Sequence, residues 1–199
     1  MAIIKSNFQK IFDKNQMYLQ DMQNKSLSWY WKQVDELKKQ RITPTKLIND
    51  NANKSVAAII PGNLYFWSYD PKTKDTLPYY DTAPMVFPFT PAKGGFIGIN
   101  LHYLPYKMRI ILLDELLEYK NNKFMDEKTK IKMSWSMLKS LSNNKLVEPC
   151  VKRYLYSHVR SNIIKIDSYH YATALMLPVA RFKKASEIAV WMESVRGKK

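Results

Sequence analysis

The sequence predicts an α+β fold: a small twisted antiparallel β-sheet, of the SH3-like partial-barrel kind, flanked by N-terminal and C-terminal helices. Two observations predict it. Residues 56–105 hold three short aromatic, strand-like runs between turn signals, with only 3 Lys/Arg against 3 acids. On either side the apolar residues switch to helical spacing.

Between Lys5 and Gln40 there is no Pro or Gly, and Leu27, Tyr30, Trp31, Val34 and Leu37 fall on one helical face. A separate polar helix is expected before Asn24, with Ser26 or Ser28 capping the next. Thr43-Pro44-Thr45 reads as the stop of that helix, and residues 49–55 as a polar linker. Residues 63–69, 85–89 and 96–103 are the strand candidates. Pro84 and Pro88 have no N–H to give a ladder, so the middle strand should be an edge strand or a bulged one.

From Pro105 helical spacing returns, with Met108, Ile111, Leu112 and Leu116 on one face. A second helix starts at Met125 or Asp126 and carries Ile131, Trp135 and Leu138 in a stripe. Residues 147–159 read as a short third helix, 161–167 as a strand and 168–176 as helical or irregular, before a final basic segment from Pro178. The organisation expected is an N-terminal helical region (1–55) and an α+β domain (56–199), whose sheet lies in 56–105 and whose basic helical part is 106–199.

The chain of 199 residues is 46% hydrophobic, enough to bury a core. No run approaches the roughly 18 apolar residues of a membrane span, and the start lacks a signal-peptide pattern, so a soluble, unexported protein without a membrane partner is expected. One cysteine, Cys150, cannot close an internal disulfide, which fits a reducing compartment. The net charge is +15, and the last 50 residues carry 10 Lys/Arg against 3 acids. Such a localised excess is the footprint of a polyanion binder, because cations that displace counterions from phosphates supply sequence-independent affinity. Solubility alone is the plainer explanation of the same charge.

The patterns that carry catalysis are missing from the sequence: no phosphate-binding Gly-rich loop, no dinucleotide fingerprint, no nucleophile elbow and no HExxH. The protein is therefore expected to be no enzyme, with no cofactor, no metal site and no small-molecule substrate. Asp70, Asp75 and Asp81 could gather a divalent ion, but their Pro, Lys and Thr neighbours favour turns. Cys150 with His158 could pair as nucleophile and base, yet a lone cysteine here is more simply a small buried hydrophobe. Tyr65, Trp67, Tyr69, Tyr79, Tyr80, Tyr103 and Tyr106 could stack on unpaired bases, though core packing accounts for most of them. The best phosphate-contact candidates interleave cations with aromatics: Lys152, Arg153, Tyr156 and Arg160, then Arg181, Lys183 and Lys184, with Lys107 and Arg109 added from the first helix after the sheet. On a third helix, Lys152, Tyr156 and Arg153 would share one turn.

Three strings are unusual: Gly62 to Asp81 (GNLYFWSYDPKTKDTLPYYD), Gly94 to Leu104 (GGFIGINLHYL), and Cys150 to Arg160 (CVKRYLYSHVR) with the later LPVARFKKAS. Together they resemble the DNA end-protector family of T4-like tailed phages over roughly residues 60–190, while the first 55 residues add nothing to the likeness. The resemblance implies a virion protein needed for head completion, which sits on the termini of linear double-stranded DNA and shields them from host exonuclease. It would act in the host cytoplasm after infection, and its partners would be DNA termini and other phage head or neck proteins. The competing expectation is a structural protein of the neck, tail or baseplate that works through protein–protein contacts.

Overall fold

A computed structural model of the chain describes residues 27–120, 122–145 and 147–196. The helix expected before Asn24 lies outside the described residues, as does the cap proposed at Ser26.

Helix α1 (Leu27–Lys39) buries Val34 and Leu37 and places Lys38 and Lys39 in its last turn, where cations suit the helix dipole. Pro44 does not stop a helix but starts one. Thr43 caps α2 (Pro44–Asp50) by accepting a hydrogen bond at 3.2 Å from the Lys46 N–H, and proline at the first helical position loses no bond it could have made. The linker expected at 49–55 is accordingly the end of α2 and a 3-10 turn, Ala52–Lys54.

The main sheet is open and antiparallel, with strand order β5-β4-β3-β1-β6, formed by β1 (Leu64–Phe66), β3 (Met85–Ala92), β4 (Gly95–Asn100), β5 (Val151–Leu155) and β6 (Ile164–Ile166). Nothing in that order identifies an SH3-like barrel. A separate ribbon pairs β2 (Tyr80–Asp81) with β7 (Phe182–Lys183). β3 is central, and the register shift between Pro88 and Thr90 is the bulge that lets a proline sit inside a ladder.

Successive strand residues face opposite sides, which divides the apolar residues into two cores. Leu64, Phe66, Met85, Phe87 and Ile99 join the larger one, shared with Val34 and Leu37 of α1. Tyr65, Trp67, Val86, Phe96 and Tyr154 form a smaller aromatic core with Tyr69. There Tyr154 meets Trp67 and Tyr69 edge-on, at centroid distances of 5.1 and 5.0 Å. Each such pair adds about 0.5–1.5 kcal/mol beyond area burial.

α3 (Tyr106–Lys120) packs against α4 (Glu127–Leu141) and α5 (Tyr171–Met176). Its core face is rotated from the expected one: Ile110 and Leu113 are buried with Leu112 and Leu116, whereas Ile111 is half-exposed. Asp126 caps α4 through the Thr129 N–H at 2.8 Å. The third helix expected over 147–159 is instead a 3-10 turn (Glu148–Cys150), strand β5 and a second 3-10 turn (Tyr156–His158). α6 (Glu187–Arg196) closes the described chain. Among the described residues no helix is long and apolar enough to cross a membrane.

Candidate nucleic-acid interface

The strand at 151–155 changes what the basic residues can do. β5 is a sheet edge, and beside it opens a cleft of about 580 Å³ lined by Lys152 to Leu155, by Tyr69, Pro71 to Thr73 and Leu77, by Tyr79 to Asp81, and by Lys93 and Tyr103. Four cations, Lys72, Lys93, Lys152 and Arg153, meet five tyrosines there. The Lys152 ammonium stands 4.4 Å over the Tyr103 ring, and Arg153 donates to the Lys93 carbonyl at 2.9 Å. Burial keeps the phenols protonated: Tyr69, Tyr103 and Tyr154 are pushed upward, and Tyr79 rises to about 12 through burial and then Glu193. None of these four phenols adds negative charge to the cleft near neutral pH.

The wall formed by residues 70–79 is tied down by cations. Lys74 bonds Asp70 at 2.9 Å, and Lys184 donates to the carbonyls of Lys74, Asp75 and Leu77 at 2.8–3.0 Å. At the cleft floor, Asp81 is buried and fully engaged. Its Oδ2 accepts from His102 Nδ1 at 2.7 Å and Asn100 at 3.1 Å, while Oδ1 accepts from the Ala83 and Arg181 N–H groups. Burial alone would raise this carboxyl, but His102, the Ala83 N–H and Asn100 together hold it below the usual carboxylate range.

The predicted contact residues separate on this scaffold. Lys152 and Arg153 line the cleft, as neighbours on an edge strand and not as members of a helical turn. Tyr156 lies just past the strand, half-exposed, with its ring 5.7 Å from Phe96. Arg160 is exposed and reaches within 3.8 Å of Asp70, and Lys183 pairs in register with Tyr80. Exposed Arg181 donates to the Pro178 and Ala180 carbonyls. Lys184 spends all three of its N–H groups on the loop carbonyls. Lys107 is exposed on α3, an element that contributes nothing to the lining.

Arg109 requires a correction. It is 1% exposed, with Nε bonded to the Leu104 carbonyl at 2.7 Å, Nη1 to Leu175 at 2.9 Å, Nη2 to His102 and Glu187, and its guanidinium 4.6 Å over Tyr106. It joins α3 to α5 and α6 from inside the core and has no face to offer a phosphate. Sequence reasoning also missed Lys72 and Lys93, which fall outside the strand runs it marked; the β4–β5 pairing and the 70–79 loop bring them together.

Cys150 is buried, its thiol pushed up to about 12 by burial, and His158 bonds the Asp70 carbonyl through Nδ1 at 2.8 Å. The three acids are likewise dispersed, Asp70 on Lys74 and Asp81 on His102. Among the described residues no group of three metal-ligating side chains forms.

The family model described as Phage T4 terminal DNA protecting protein matches residues 1–193. The chain belongs to that family. The match takes in the first 55 residues as well as the region of the three strings, and it makes this a bacteriophage DNA-binding protein of the end-protecting kind. No curated protein and no solved structure matches the chain. The family's description is of a protecting protein, not of an enzyme.

Proposed function

We propose that the protein sits on the termini of linear double-stranded phage DNA and denies them to host exonuclease by occupancy, making and breaking no bond. The observation that carries this reading is the cleft, where four cations from three separate segments converge within a family described as DNA protecting. Arg160, Arg181, Lys183 and Tyr156 extend the cationic surface around it and are its proposed phosphate contacts, together with Lys152 and Arg153. It would do so as a virion component needed to complete the head, entering the host cytoplasm with the DNA.

One observation favours the second reading, a neck, tail or baseplate component: α6 exposes Ile188, Met192 and Val195 at helical spacing, an apolar stripe suited to another head or neck protein. The two readings differ in salt response. If phosphates hold the complex, the affinity for blunt linear duplex falls steeply with salt, each contact adding about 0.9 to the log–log slope. Arg153→Glu with Lys183→Glu then weakens binding and flattens the slope by about 2. Equal binding and an equal slope in mutant and parent would remove both residues from the interface.

A further inference from the structure

We infer that the cleft receives a single terminal nucleotide of the DNA, frayed from its partner, and that this capture gives the protein its preference for ends. The inference rests on the DNA-end reading above and names what the site takes. A volume of about 580 Å³ is that of a small-ligand site. It admits a nucleotide but no duplex.

The lining matches a nucleotide's two halves. Lys72, Lys93, Lys152 and Arg153 supply the charge for a phosphate, and Arg153 is oriented by its bond to the Lys93 carbonyl. Tyr80 is only half-buried and keeps ring surface for a base, whereas Tyr69, Tyr103 and Tyr154 are committed to packing and Tyr79 lies against the core and the Tyr103 ring. All four cations line this one cleft, an arrangement that suits one phosphate better than a tracked backbone. Position along the DNA then becomes an energy difference. An interior nucleotide must be unpaired and swung out of the stack before it can enter, while a terminal pair frays at little cost.

The test uses the full chain and a short blunt duplex carrying 2-aminopurine at its terminal or at a central base, compared with the same duplex closed at both ends by hairpin loops. Open ends bind about tenfold tighter than closed ones, the worth of one stacked base. Only the terminal 2-aminopurine changes its emission. Lys72→Glu with Lys93→Glu, both exposed positions, abolishes the preference with circular dichroism unchanged. Equal, salt-sensitive binding of open and closed duplexes would overturn the capture of a terminal nucleotide and leave DNA binding standing. No binding to either would overturn both.

Discussion

Asp81 shows how a single buried residue can hold up the surface it helps line. Its carboxylate gathers the Ala83 and Arg181 backbone, Asn100 and His102 beneath the cleft, and Asn100 also reaches the Tyr154 hydroxyl at 3.1 Å. Because its folded pKa is depressed, Asp81 contributes stability above the unfolded carboxyl value of about 3.9, and that contribution is lost as pH falls through the folded value. Asp81→Asn removes the carboxylate that accepts from His102, Asn100, Ala83 and Arg181 and costs about 2–3 kcal/mol at neutral pH. In urea unfolding followed from neutral pH into the acid range, the variant is less stable at neutrality and loses less on acidification; coincident curves would show that the carboxylate carries no stability. Asp81 was legible in the sequence only as a turn acid, and Arg109 only as a surface cation. Each is held in part by a distant partner, Asp81 by the Arg181 N–H, 100 residues away, and Arg109 by Glu187, 78 residues away, which no local pattern records.

At the scale of elements, the central strands were readable because β-branched and aromatic residues crowd between turns, and α4 because its stripe and Asp126 cap agree. β5 was not. Val151, Tyr154 and Leu155 mimic helical spacing, and adjacent Lys152 and Arg153 hide the alternation of a strand whose edge faces the cleft. Gly95 fixes that strand in place: a Cβ there would collide with the Tyr154 carbonyl, so β5 can lie this close only to a glycine. Gly95→Ala pushes β5 outward, with an expected cost of about 2–3 kcal/mol and weaker DNA binding as Lys152 and Arg153 shift. At Gly94 an added Cβ meets nothing within 4 Å and only a φ of 72° resists, so Gly94→Ala costs about 1 kcal/mol. Thermal unfolding of the two variants checks the order; a milder loss at Gly95 would contradict the packing of β5 on β4.

Across the whole molecule, a net charge of +15 could be read at once, but where it acts could not. The segments richest in Lys and Arg lie towards the C-terminus, yet Lys72 and Lys93 of the charge-neutral centre complete the cleft, brought to Lys152 and Arg153 by the β4–β5 pairing and the 70–79 loop. The neutral centre is therefore half of the proposed interface and not a spacer between basic flanks. Family membership supplies the protected object, and the cleft supplies a means of holding it. The most direct test is exonuclease digestion of linear duplex DNA with the full chain present and an excess of circular duplex as competitor. The account predicts that digestion stays blocked despite the competitor and resumes with Lys72→Glu and Lys93→Glu. Protection that disappears when circular DNA is added would contradict it.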